Sequence, residues 1–290
     1  MSDLNNTSYK VKKIFNNNVV LAQKRNDTNK EFILLGNGIG FGTSKGEIIN
    51  RQEVNIDKEF VPIKGEKKEA YQKLLNEVDE QVIGVTEEII AMVSSQLKEE
   101  LNEHIRIGLA DHIAFALKRI EDGMDLTNPF LTETKTLYKE EYELAQEAID
   151  MIEQRFDVAM PESEVGFITL HIHGARENRG VSKTLKYTSL IQKMVAKVEE
   201  KLGEKLSYET LNYARLVNHL RFALERVEKD EVNPNPMLDD IKEKFPQAYQ
   251  ISIKLAQMIE EELKVDVPKD EVGYLAMHVQ RLRRDLNKDE

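Results

Sequence analysis

The chain has 290 residues, 40% hydrophobic and 32% charged, with 41 Lys and Arg against 52 Asp and Glu for a formal net charge of −11. This composition suits two or three folded domains; no stretch approaches the roughly 18 apolar residues of a membrane span, and the start Met1-Ser2-Asp3-Leu4 has no secretion signal, so a cytoplasmic protein without membrane insertion is expected. The lack of any cysteine excludes disulfides, thiol nucleophiles and Cys-based zinc sites, and −11 taken as an average argues against nucleic acid as a partner.

The average describes no part of the chain. Residues 1–64 hold eight Lys and two Arg against three Asp and four Glu, a net +3, which leaves −14 for the other 226 residues. In the same segment the apolar residues come in short runs, Val19-Val20-Leu21, Phe32-Ile33-Leu34-Leu35 and Ile48-Ile49. Turn clusters separate them at Asn16-Asn17-Asn18, Asn26-Asp27-Thr28-Asn29 and Ser44-Lys45-Gly46. This pattern predicts a small antiparallel sheet, which buries little by itself and is expected to pack on a second copy. Gly36-x-Gly38-x-Gly40 falls within it and reads as a hairpin needing positive φ.

Beyond Pro62 and Lys64-Gly65-Glu66-Lys67-Lys68 the apolar spacing turns helical, as in Ile105, Leu109, Ile113, Ala116, Leu117 and Ile120. This helical part is an internal duplication. Asp111-His112-Ile113-Ala114-Phe115-Ala116-Leu117 lies over Asn218-His219-Leu220-Arg221-Phe222-Ala223-Leu224, an offset of 107. The same offset carries Asn128-Pro129 onto Asn235-Pro236, Pro161 onto Pro268, and Glu164-Val165-Gly166-Phe167 onto Glu271-Val272-Gly273-Tyr274. The expected architecture is a small antiparallel β-sheet domain over 1–64 followed by two homologous all-α helical bundles, 71–177 and 184–290.

The repeat also sorts the histidines. His112 falls on His219 and His171 on His278, whereas His104 falls on Leu211 and His173 on Gln280. A single helical His is most often a packing residue; two pairs at one spacing point to function. His171 and His173 stand about 200° apart around a helix opened by Pro161, so one of them can face His112. Metal binding is disfavoured because the second half replaces Asp111 with Asn218 and His173 with Gln280. Hydrolase signatures are missing too: there is no Gly-rich phosphate loop, helical His-Glu-x-x-His or nucleophile elbow. A phosphate acceptor remains: imidazole is nucleophilic near neutral pH, and a phosphoryl group adds roughly two negative charges that repel carboxylates and repack an interface.

Lys12-Lys13-Ile14-Phe15-Asn16-Asn17-Asn18-Val19, Gly36-Asn37-Gly38-Ile39-Gly40-Phe41-Gly42 and the pairs His112/His171 and His219/His278 resemble the BglG/LicT-type transcriptional antiterminators along essentially the whole chain. Asn102-Glu103-His104-Ile105, Asp111-His112-Ile113 and Leu170-His171-Ile172-His173 are most similar to the glucose-responsive member of that family. The resemblance implies no enzyme and no cofactor. It implies an N-terminal co-antiterminator domain, acting as a homodimer, that grips an RNA hairpin in the leader of a sugar-transport gene and prevents terminator formation. RNA contact carries over to Lys13, Asn16, Asn18, Gly36, Asn37, Gly38 and Phe41. Asn side chains read ribose hydroxyls and base edges, lysines attract phosphate, and Phe41 can stack on a base. Many members carry Lys or Arg where this chain has Asn37. The two helical domains resemble phosphotransferase-system regulation domains, with His112 and His171 phosphorylated by the glucose enzyme II and His219 and His278 by the phosphocarrier HPr. Two other readings stay open: a DNA-binding activator with the same regulatory domains, against which the strand-like N-terminus speaks, and a metal-dependent phosphohydrolase built on the histidine pairs.

Overall fold

The computed structural model describes residues 7–25, 30–60, 67–124, 126–231 and 233–286. The expected turn at 26–29 and most of the charged stretch at 64–68 lie outside them. Five strands, β1 (Ser8–Asn16), β2 (Val19–Lys24), β3 (Glu31–Leu35), β4 (Ile48–Asn50) and β5 (Lys58–Phe60), form one antiparallel sheet in the order β4-β1-β2-β3-β5. The period of two sorts its side chains cleanly onto two faces. Phe15, Val19, Leu21, Ile33 and Leu35 look one way; Tyr9, Val11, Val20, Ala22, Phe32 and Leu34 look the other.

Both faces are covered by the same chain. The first packs on Tyr71, Leu74 and Leu75 of α1 (Lys67–Glu77), Ile83 of α2 (Glu80–Leu97) and Ala110 of α3 (His104–Glu121). The second is closed by Ile39 and Ile49, with Ile14, Val54 and Ile56 at its margin. Consecutive apolar residues in β2 and β3 send apolar groups to both faces, and helices and loops of this chain meet them.

The helices continue as α4 (Leu131–Leu137), α5 (Lys139–Phe156), α6 (Glu162–Arg176), α7 (Val181–Leu202), α8 (Leu211–Glu228), α9 (Leu238–Lys244), α10 (Pro246–Leu263) and α11 (Lys269–Leu286). The duplication is visible in their starts: α3, α4, α5 and α6 begin 107 residues before α8, α9, α10 and α11. Left-handed turns recur at the same offset, at Asp157 (φ 54°) and Lys264 (φ 59°) after α5 and α10.

By backbone packing the chain forms two compact units, 1–128 with 140–181 and 129–139 with 182–290. The sheet and the first helices share one unit, and α4 lies in the second. Within that second unit Glu133 of α4 is buried and accepts a 3.0 Å hydrogen bond from the Tyr213 hydroxyl of α8.

In the first unit a buried ion pair joins α2 to α3. Arg106 pairs with Glu87, which also accepts from the Tyr71 hydroxyl at 3.3 Å, and the guanidinium stacks 4.4 Å from the Phe60 ring centre. Burial pushes the Arg106 pKa down to about 10. Removing one member of such a pair leaves an uncompensated buried charge. Arg106→Met is thus expected to lower the unfolding free energy of this unit by about 3–5 kcal/mol. A denaturant midpoint equal to that of the wild type would contradict the assignment.

Candidate functional site

Two sets of residues were singled out by sequence, and each gathers in one place. The first is the turn between β1 and β2 with the glycine loop after β3. The backbone carbonyls of Asn17 and Asn18 accept from Gly40 and Gly36 at 2.9 and 3.1 Å, and the Asn18 side chain accepts from the Gly38 amide at 3.1 Å. Asn16 accepts from the Asn18 amide at 2.8 Å. The asparagine and glycine runs are therefore one knitted unit.

Only Gly38 of the expected glycine trio has positive φ, +70°. Gly36 and Gly40 are required for a different reason: a Cβ there would fall 2.0 Å from the Asn55 carbonyl oxygen and 2.2 Å from that of Asn16. Asn37 and Phe41 project outward, Phe41 with 77% of its surface exposed. An open groove of about 820 Å³ runs beside Asn17, Asn18, Asn37, Gly38 and Phe41 and is bordered by Gln81 and Arg155. Lys13 and Asn16 turn instead toward α2. The Lys13 ammonium donates to the Leu75 carbonyl at 2.6 Å, and the Asn16 side chain is buried. Register shifts on either side of Ile14 re-aim β1 at this point.

The second set is the histidine pairs. His112 on α3 and His171 on α6 bring their ring centres to 5.1 Å. Gly108, one turn before His112, makes room: a Cβ there would lie 3.3 Å from His171 Nδ1. His112 Nε2 is buried and sits 2.9 Å from Glu164 Oε2, while Arg119 donates to Glu164 Oε1 at 2.6 Å. Burial works against the Glu164 charge, but His112 and Arg119 together hold its pKa below the ordinary carboxylate value. Burial, with His112 close by, pushes His171 down to about 3.

The second pair uses the same frame differently. His219 on α8 and His278 on α11 stack with ring centres 3.4 Å apart and planes 19° apart. Arg226 and Glu271, the counterparts of Arg119 and Glu164, form a bidentate pair at 2.8 and 2.7 Å. Burial lowers His219, aided by Arg226 and Arg215; it also pushes His278, beside His219, down to about 4. His173 faces elsewhere, as its phase requires: its Nδ1 lies 3.0 Å from Glu141, which Arg176 also contacts. His104 starts α3, with its backbone amide bonded to the Asn102 side chain at 3.0 Å. Glu164, Arg119, Glu271 and Arg226 were not among the expected site residues, although their recurrence at offset 107 marks them in the sequence. Among the described residues no group of three or more His, Asp or Glu is placed to hold a metal ion.

The depressed histidines fix a sign for pH dependence. An unfolded chain takes up these protons as pH falls below the ordinary value of 6.5, whereas folded His171 and His278 resist until about 3 and 4. Stability is therefore full above pH 6.5 and declines below it, by roughly 1 kcal/mol per pH unit for His171 and by less for the more exposed His278, which solvent screens. Denaturant midpoints at pH 7 and pH 5 should show a smaller loss for His171→Gln/His278→Gln than for the wild type; an equal loss would refute the burial argument.

A family model described as CAT RNA binding domain matches residues 9–69, and one described as PRD domain matches twice, over 87–175 and 192–282. The chain is 39% identical over 285 residues to the PtsGHI operon antiterminator of Bacillus subtilis (strain 168), covering 97% of this chain and all of that protein. It is 34% identical over 276 residues to transcription antiterminator LicT of the same organism, 94% of this chain and 98% of LicT. Protein GlcT of Staphylococcus haemolyticus is 31% identical over 281 residues, 96% and 98% of the two chains. A crystal structure of GlcT CAT-PRDI, 44% identical, covers 58% of this chain and 98% of its own with a TM-score of 0.48. The two Bacillus subtilis relatives are named as antiterminators rather than enzymes, and among the described residues no helix is long and apolar enough to cross a membrane. The chain belongs to the transcription antiterminators built from a CAT RNA-binding domain followed by two PRD domains.

Proposed function

We propose that this antiterminator acts in the cytoplasm as a homodimer on an RNA hairpin in the leader of a glucose phosphotransferase gene, under control of histidine phosphorylation. In this reading 1–64 is the RNA-binding domain, and 71–177 and 184–290 are the first and second regulation domains. Lys13, Asn16, Asn18, Gly36, Asn37, Gly38 and Phe41 contact RNA. The glucose enzyme II phosphorylates His112 and His171, and HPr phosphorylates His219 and His278.

The observation that carries the proposal is the repeated apposition of two imidazoles across a helix pair, α3 with α6 and α8 with α11. Each apposition lies beside the same Arg–Glu pair. A phosphoryl group on His112 brings roughly two negative charges to a ring already 2.9 Å from the Glu164 carboxylate. Like charges in a half-buried setting cannot both stay desolvated, so either the carboxylate withdraws or Arg119 leaves it for the phosphate. Both responses strain the α3–α6 contact, and that strain is the proposed switch. The glucose assignment rests on the relatives named GlcT and PtsGHI operon antiterminator.

Without sugar the first domain is phosphorylated and the protein inactive. His112→Ala/His171→Ala should therefore give leader readthrough that no longer depends on glucose, measured with a reporter behind the terminator. Readthrough in the double variant that still requires glucose would sink this assignment.

A further inference from the structure

We propose that the face of α2 carrying Glu80, Gly84 and Glu88 is an intramolecular docking surface for the RNA-contacting side of β1 and the turn that follows it, so that this face and RNA exclude one another. The proposal rests on the reading of Lys13, Asn16 and Asn18 as RNA contacts. The three α2 residues are four apart, hence one stripe along the helix. Each meets one of the three. Glu80 Oε1 lies 3.3 Å from the Lys13 ammonium, which also donates to the Leu75 carbonyl. Asn18 Nδ2 donates to Glu88 Oε1 at 2.9 Å. Between them, the missing side chain of Gly84 admits Asn16: a Cβ on Gly84 would fall 2.3 Å from Asn16 Nδ2.

The chemistry of the stripe is that of the ligand it displaces. A carboxylate on a lysine ammonium or an asparagine amide uses the same donors that would bind a phosphate oxygen or a base carbonyl. A negative side chain in that place also repels the RNA backbone. Asn16 Nδ2 is buried and has no hydrogen-bond partner against Gly84, so the docked arrangement leaves one donor that an RNA acceptor would satisfy. Glu88 is held by a helix of the regulatory half of this unit: Arg155 on α5 donates to Glu88 Oε2 at 3.0 Å and to Gln81 Oε1 at 3.3 Å. The same Arg155 borders the groove in which Asn37 and Phe41 remain open. A shift of α5 or α2 within the regulation domain therefore releases Asn18 and Lys13 without a change inside the sheet.

The test is hairpin affinity of the full-length, unphosphorylated chain at one salt concentration, for the wild type, Glu80→Gln/Glu88→Gln and the control Glu121→Gln/Asp122→Asn. The control removes two exposed carboxylates at the end of α3 and matches the charge change. Docking predicts that Glu80→Gln/Glu88→Gln binds about ten-fold more tightly than the wild type, a coupling within the usual range between two sites, and that the control stays within about two-fold. Equal affinity of wild type and Glu80→Gln/Glu88→Gln overturns the docking proposal. Hydrogen exchange on the wild-type chain decides the case independently of any variant. Amides over 80–97 should exchange faster with saturating hairpin, and unchanged exchange overturns the proposal. Failure of every form to bind a leader hairpin at low salt would instead overturn the RNA-contact reading on which it stands.

Discussion

One buried carboxylate per helical repeat ties together the two helices that carry the histidines. Glu164 on α6 reaches Arg119 on α3, and Glu271 on α11 reaches Arg226 on α8. Each glutamate is almost wholly buried, so each needs its cation, since an unpaired buried charge is far costlier than a broken surface pair. The pair bridges the same two helices in each repeat, while the histidine ring centres stand 5.1 Å apart in the first and 3.4 Å apart in the second. The first repeat spends one carboxylate oxygen on His112; the second gives both to Arg226 and leaves its imidazoles stacked. Equal sequence positions thus have unequal chemistry: a new negative charge on His112 meets Glu164 at once, whereas on His219 it meets a carboxylate already neutralised by a bidentate arginine.

The same economy of buried charge governs the sheet. Its first face is apolar over Phe15, Val19, Leu21, Ile33 and Leu35 and is sealed by α1, α2 and α3. That seal brings the polar edge of β1 against α2, where every polar atom must find a partner or stay unsatisfied. Lys13 and Asn18 find partners and Asn16 Nδ2 does not. On the proposed reading of Lys13, Asn16 and Asn18 as RNA contacts, RNA recognition and burial of the sheet draw on neighbouring residues of β1 and the turn after it, and the helices α1 and α2 meet them directly.

Much of this was legible in the sequence because the repeat is ungapped. The offset of 107 anticipated the starts of four helix pairs, separated His112 and His171 from His104 and His173, and carried Pro161 to the opening of α6. Charge read by segment anticipated an RNA-binding domain that the net −11 concealed. Other features lay beyond one-dimensional pattern. Gly36 and Gly40 are dictated by carbonyls of Asn55 and Asn16, residues that no local turn rule connects to them. The placement of α4 depends on Glu133 finding Tyr213; the counterpart of Tyr213 is Arg106, which finds Glu87 instead. Asp240, the counterpart of Glu133, is exposed, so similar sequences diverge through the partner each buried carboxylate selects.

The central link is whether charge placed on the first histidine pair reaches the RNA-binding domain. The most direct measurement is the hairpin dissociation constant of the full-length protein before and after phosphorylation of His112 and His171, at fixed salt. A weakening of at least about ten-fold, or about 1.4 kcal/mol, is predicted. An unchanged dissociation constant with both histidines phosphorylated would contradict it.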